Sequence, residues 1–208
     1  MRSSIPNATK KRFPQYLRVL QELQERGNER VFSYQIGNMM DISEYTVRKD
    51  FMFLSVEGKT ASGYDINLFI KALEQELGFT NHEKIILIGV GVLGNALLKY
   101  NFVSHRIGKI VCAFDCDKQK TNKKNYGVPV YDMELLSKKI PRDTTIAILA
   151  IPKEDLETVI NQLMSLKVKA ILNFTDGLPR KRKNIKIYNI DLVEIISKTI
   201  YDFQLQKK

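Results

Sequence analysis

Gly89-Val90-Gly91-Val92-Leu93-Gly94 spells G-x-G-x-x-G, the glycine spacing that cradles the pyrophosphate of a dinucleotide. It directly follows the apolar run Lys84-Ile85-Ile86-Leu87-Ile88 and opens a stretch with helical spacing, Leu93 to Tyr100. Strand, glycine turn and helix are the context the motif requires. Gly89 allows the tight turn, Gly91 lets a phosphate approach the backbone, and Gly94 lets helix and strand pack closely. The helix N-terminus adds unpaired N–H groups and partial positive charge. The next strand ends in Phe114-Asp115. An acid there can accept both ribose hydroxyls of an adenosine half and repel a 2′-phosphate, favouring NAD over NADP. A Rossmann-like domain with an empty or CoA-type site fits the same pattern.

A second group of residues suits a different chemistry. Ser43, Glu44, Tyr45, Thr46, Arg48 and Lys49 open a short helix whose Val47 and Phe51 point inward. Tyr45, Thr46, Arg48 and Lys49 are left facing out. Arg48 suits a bidentate pair with guanine, worth roughly 1–3 kcal/mol of discrimination. Lys49 and Lys59 suit phosphate, which positions a protein on DNA without reading sequence. A small helical bundle with solvated basic residues is the competing interpretation.

Catalytic groups are scarce. A dehydrogenase needs a proton donor or acceptor beside the nicotinamide. The two histidines, His82 and His105, fall before the first strand and after the first helix, on the side of the sheet away from its ligand-binding edge. The Tyr45–Lys49 pair has Tyr-x-x-x-Lys spacing but lies upstream of the glycine motif, so we treat it as chance. Cys112 and Cys116 flank a strand end with no histidine cluster beside them. Buried thiols are the simple account, and a thiol redox role for Cys116 at the cofactor rim the other.

These residues must be held by two different kinds of element. Phe13, Tyr16, Leu17, Leu20 and Leu23 recur at helical steps up to Gly27. Ser33 is expected to cap a second helix, which Gly37 weakens, and Ser43 a third, Glu44 to Leu54. Residues 57–64 read as a turn or β-wing, followed by a helix over about 66–77. Three short helices and a wing make a winged helix–turn–helix. Beyond residue 80, strands are expected at 84–88, 109–114, 128–130, 145–150, 169–173 and 185–188, with helices between most of them. That alternation predicts a parallel sheet with crossover helices. Asp191 to Phe203 forms a last helix with Leu192, Val193, Ile196, Ile200 and Phe203 on one apolar face, which needs a partner: its own domain or a second copy. The class is therefore α/β, with domains at 1–80, 81–190 and 191–208.

Composition narrows the class further. The 208 residues carry a net charge of +10. No run approaches the ~18 apolar residues of a membrane span. The N-terminal residues lack the apolar core of a secretory leader. With two cysteines, a reduced cytoplasmic protein is expected. Residues 1–80 carry only +1 and residues 81–208 carry +9, so bulk charge does not single out the first domain. The narrower signal is residues 1–20, with five basic and no acidic residues.

Along nearly its whole length the sequence resembles the Rex family of NADH-responsive transcriptional repressors. Ile5-Pro6-Asn7-Ala8-Thr9 with Arg12, Pro14, Tyr16 and Arg18 is similar to the family's first helix. Val47-Arg48-Lys49-Asp50-Phe51 is similar to its recognition helix, and Val90 through Phe102 to its nucleotide segment. Ala113-Phe114-Asp115, Gly127 to Tyr131, Ala147-Ile148-Leu149 with Pro152, Ile171 to Phe174 and Asn189 to Leu192 follow in family order. The resemblance implies a homodimer with a swapped C-terminal helix, NAD(H) as the cofactor, and a double-stranded palindromic DNA operator from which NADH releases the protein. It implies cofactor contacts from Tyr100 and Pro152 besides Gly89 to Gly94 and Asp115, a DNA contact from Arg12, and a state-dependent network of Arg18, Tyr100 and Asp191. Thr60-Ala61, Asn122, Tyr126 and Asp176 depart from the family pattern; glycines are usual at 122 and 126 and proline at 176. Two other readings fit the residues: a paralogue that binds DNA and nucleotide without discriminating NADH from NAD+, and a NAD- or CoA-binding enzyme.

Overall fold

The structure is a computed structural model and describes residues 5–54, 56, 62–78, 83–100 and 108–205. The chain divides into two compact units, Met1–Asn81 and His82–Lys208.

The first unit is built from α1 (Asn7–Glu25), β1 (Arg30–Val31), α2 (Ser33–Met40), α3 (Glu44–Phe51), β2 (Tyr64–Asp65) and α4 (Ile66–Glu76). Phe13, Tyr16, Leu17 and Leu20 of α1 bury against Ile36, Val47, Phe51, Phe69 and Leu73. The cap of α2 differs from expectation. Phe32 is its N-cap and donates its N–H to Gln35 Oε1 at 2.8 Å, which leaves Ser33 as the first helical residue. Gly37, which weakens α2 as an isolated helix, is required where α2 meets α3. A Cβ there would lie 2.7 Å from the Ile42 carbonyl oxygen. Asp41 ends α2 in the left-handed region (φ 54°), and Ser43 caps α3 by accepting from Thr46 N–H at 3.2 Å. β1 and β2 pair antiparallel. The wing residues 57–61, and with them Lys59, lie outside the described residues.

The second unit holds a seven-stranded sheet of β3 (Glu83–Ile88), β4 (Gly108–Asp115), β5 (Lys123–Asn125), β6 (Val128–Asp132), β7 (Ile146–Leu149), β8 (Ala170–Asn173) and β9 (Lys186–Asn189). Its order is β5-β6-β4-β3-β7-β8-β9, parallel except for β5. The chain enters at β3, builds outward to β6, then returns to the other side at β7. The reversal between β3 and β7 leaves a crevice at the carboxyl ends of the strands, where ligands of such sheets bind. One face is covered by α5 (Val92–Tyr100), the other by α6 (Leu136–Lys139) and α7 (Leu156–Ser165).

Two connections depart from strict alternation. The β4–β6 link carries the edge strand β5 instead of a helix. β5 and β6 are joined by the two residues Tyr126 and Gly127, at φ 49° and 81°. Both central residues at positive φ is the hairpin turn that matches strand twist, normally built from Asn-Gly or Gly-Gly. The β8–β9 link has no helix either. The last helix, α8 (Leu192–Leu205), has no buried residue in the single chain. Among the described residues, no helix is long and apolar enough to cross a membrane.

Candidate nucleotide cleft and recognition helix

The glycine motif sits where β3 ends and α5 begins. A Cβ on Gly89 (φ 93°) would lie 2.3 Å from the Ala150 carbonyl oxygen, and one on Gly94 would lie 2.0 Å from that of Gly89. These two glycines are therefore fixed by close backbone approach. Gly91 faces open space, and Val92, at the start of α5, is 94% exposed. Asn95 Nδ2 reaches back to the Val90 and Gly91 carbonyls at 3.2 and 3.1 Å, and its Oδ1 accepts from Asn125 Nδ2 at 3.1 Å. The turn is thus tied to both α5 and the β5–β6 hairpin.

Beside the motif lies a cavity of about 540 Å³. Its walls include Gly89 and Gly91, Asp115, Ala150 and Pro152 at the strand ends. Met133, Ile151 and Val159 supply apolar surface, while Thr158 and Gln162 of α7 supply polar groups. This is the size and make-up of a pocket for a drug-sized ligand, and an adenosine fits it.

Asp115 is placed at this cavity, but its carboxylate is less free than the sequence suggests. It is 7% exposed. Oδ2 accepts from Val90 N–H at 2.7 Å and Oδ1 from Asp117 N–H at 2.8 Å. Lys120 Nζ lies 3.9 Å from it and 3.3 Å from Asp117. One lone pair of each oxygen remains for a ribose hydroxyl. The Gln119 N–H and Lys120 hold the half-exposed Asp117 below the usual carboxylate range. Cys116 lines the cavity and is exposed, whereas Cys112, on β4, is buried and burial pushes its thiol up to about 12.

On the recognition helix the exposed side chains are Glu44, Tyr45 and Lys49, with Thr46 and Arg48 half-buried. Tyr45 is 66% exposed. Ser43 and Thr46 are joined by their hydroxyls at 2.8 Å. Arg48 spans the two helices: Nη2 donates to Glu44 Oε1 at 3.1 Å and Nη1 to Ser33 Oγ at 3.3 Å.

Arg12 is engaged within the first unit. Its Nε and Nη2 donate to Asp50 at 2.6 and 2.9 Å. Asp50, 2% exposed on the inner face of α3, also accepts from Thr9 Oγ1 at 2.8 Å and Tyr16 Oη at 2.7 Å. Burial alone would raise the Asp50 carboxyl, but the hydrogen bonds from Arg12, Tyr16 and Thr9 outweigh it and hold it below its usual range. Burial, then the bond to Asp50, pushes the Tyr16 hydroxyl up. Arg12 therefore clamps α1 to the recognition helix, with two of its five N–H groups committed to that contact.

The three network residues lie on three different elements. Arg18 is exposed on α1 in the first unit. Tyr100 ends α5, exposed, in the second. Asp191 caps α8, accepting from Val193 and Glu194 N–H at 2.8 and 3.1 Å. Asn95, Met133, Thr158 and Gln162 were not singled out from sequence. Only Asn95 has a legible cue, an amide side chain in the first turn after the glycines. Among the described residues no group of three or more His, Cys, Asp or Glu could hold a metal ion; His82 and His105 lie outside the described residues.

Two family models match the chain: "CoA binding domain" over residues 80–177 and "Putative DNA-binding protein N-terminus" over residues 4–51. The redox-sensing transcriptional repressor Rex of Bacillus licheniformis is 34% identical over 99% of this chain and 98% of its own length. That of Bacillus cytotoxicus is 35% identical over 95% and 94%. A crystal structure of RSP with β-NAD+ and operator DNA superposes with a TM-score of 0.83 at 25% identity, covering 99% of this chain and 95% of that one. The RSP complex with β-NADH gives 0.80 at 25% identity, covering 99% and 97%. Identity at this level over nearly the full length of both chains, on one shared fold, is decisive: the chain belongs to the Rex family of redox-sensing transcriptional repressors.

Proposed function

We propose that this chain is a cytoplasmic homodimeric repressor that binds a palindromic operator through α3 and is released from it by NADH. The observation that carries the reading is the pairing, in one chain, of a helix–turn–helix and a glycine-turn cleft with an adenosine-sized cavity. Relatives of this chain are named repressors and not enzymes, and RSP has been crystallised with NADH and with NAD+ and operator DNA.

Each residue has a task in this reading. Gly91 and the first amides of α5 receive the pyrophosphate. Asp115 accepts ribose hydroxyls, with Val90 and Asp117 N–H fixing the carboxylate. Met133, Ile151 and Val159 pack the adenine, and Pro152 continues the wall toward the nicotinamide end. The bound cofactor supplies a ring that is neutral when reduced and cationic when oxidised. Arg48 reads a guanine edge, Tyr45 and Thr46 touch neighbouring bases or backbone, and Ser43, Lys49 and Lys59 hold phosphate. Arg18, Tyr100 and Asp191 are the polar groups whose pairing changes between states. α8 supplies the dimer contact: its exposed Ile195, Ile196, Ile200, Tyr201 and Phe203 are covered by exchange with a second copy.

A ligand shifts a two-state equilibrium only by binding one state better. NADH must therefore favour the state that DNA disfavours, and the two ligands must oppose each other by equal factors. Calorimetry with each nucleotide tests the sensor: tighter binding of NADH than of NAD+ is expected, with Asp115→Ala weakening both. Equal affinities would leave a DNA-binding protein without redox discrimination. Separately, Asp191→Ala should bind NADH yet no longer leave the operator in response, and normal release in that variant would remove Asp191 from the switch.

A further inference from the structure

Glu44 opens the recognition helix with its side chain half-exposed. One carboxylate oxygen holds Arg48 Nη2 at 3.1 Å, and Arg48 in turn holds Ser33 of α2. The other oxygen, Oε2, has no hydrogen bond among the described residues. As an exposed i,i+4 ion pair the contact contributes little to stability, and on the DNA-reading face a carboxylate repels phosphate. Its place in the first turn suits the helix dipole, and toward DNA it gains a favourable contact where a base presents a donor.

In the major groove the donors are the adenine N6 and cytosine N4 amino groups. Adenine places the N7 acceptor beside its amino group, which opposes a carboxylate. In a C·G pair the amino group of cytosine faces an acceptor-only guanine, the partner an arginine fork takes. Arg48 and Glu44, tethered side by side, match the two halves of that pattern.

We infer that Glu44 is a specificity-determining residue that accepts the N4 amino group of a cytosine in each operator half-site while Arg48 reads guanine. The inference rests on DNA binding through α3. The Glu44 carboxylate also weakens attachment to any sequence lacking that donor, so it sharpens selection by exclusion as well as by contact.

The test is selection from a randomised duplex library with the full-length protein, its Glu44→Gln and Glu44→Ala variants, and Arg48→Ala, all confirmed as folded by circular dichroism. Wild-type protein should enrich cytosine about tenfold over other bases at one position per half-site. Glu44→Gln should shift that position to adenine, since a carboxamide matches adenine N6 and N7. Glu44→Ala should lose the preference there, keep the rest of the motif, and bind random duplex several-fold more tightly. One motif shared unchanged by wild type and both Glu44 variants, with only Arg48→Ala altered, overturns the inference and leaves DNA binding standing. No motif for the wild-type protein at low salt overturns both.

Discussion

Replacing Asp50 with alanine removes an acceptor shared by Thr9, Arg12 and Tyr16. The Tyr16 and Thr9 hydroxyls are buried, and the variant leaves them unpaired beside a cationic guanidinium. Breaking a buried pair by deleting one partner costs about 3–5 kcal/mol. The Arg12 side chain is 26% exposed, so water recovers part of that, and we place the loss near 3 kcal/mol. Against a typical total of ~5–15 kcal/mol, that loosens the whole first unit. Urea unfolding followed by hydrogen exchange at α1 and α3 amides reads this unit separately from the sheet. A cycle of Asp50→Ala, Arg12→Ala and the double variant should give a coupling of at least ~1.5 kcal/mol. The pH dependence follows from the depressed Asp50 carboxyl. Its contribution is complete above the unfolded value, ~3.9, and is lost as pH falls through the lower folded value. Wild type should therefore show an acid limb below about pH 4 that Asp50→Ala partly lacks. A loss under about 1 kcal/mol, additive single variants, or an unchanged acid limb would refute the clamp.

Other expectations follow from individual residues. Tyr126 is half-exposed at φ 49°, where a side chain costs ~1–2 kcal/mol. Tyr126→Gly should therefore stabilise the sheet unit by about 0.5–1 kcal/mol after the entropy of glycine is charged, and thermal melting with no gain would contradict the strain. Alkylation at pH 8 followed by mass spectrometry should mark Cys116 in the native protein and Cys112 only on unfolding, because only thiolate reacts; NADH should slow the Cys116 reaction, and an unprotected Cys116 would argue against adenosine in that cavity. Ile196→Asp with Ile200→Asp should convert the dimer to monomer by light scattering, and a surviving dimer would place the interface elsewhere.

The nucleotide half was legible because its signals are backbone requirements. Two glycines of G-x-G-x-x-G have no room for a Cβ, so nothing else satisfies the turn. Apolar runs between turns likewise marked the parallel strands, since strands buried on both faces lose their alternation. The β5–β6 hairpin was not legible, because Tyr126 occupies a turn position that normally carries asparagine or glycine. The Phe32 cap of α2 was hidden for a related reason: Ser33 is the better capping residue, but its hydroxyl takes Arg48 from α3. The Arg12–Asp50 clamp was not legible because the two residues lie thirty-eight positions apart. No local pattern pairs an arginine with a carboxylate so distant in the chain. The cavity walls contributed by Met133, Thr158 and Gln162 depend on how α7 covers the sheet, which spacing along one strand or helix does not encode.

The central claim is that reduced nucleotide and DNA compete for different states of one protein. Fluorescence anisotropy of a labelled palindromic operator, with NADH and NAD+ titrated separately at fixed salt, measures this directly. NADH is expected to displace the operator, NAD+ to leave it bound, and operator DNA to weaken NADH binding by the same factor as NADH weakens DNA binding. Operator binding that is indifferent to both nucleotides, or equally reversed by both, would contradict it.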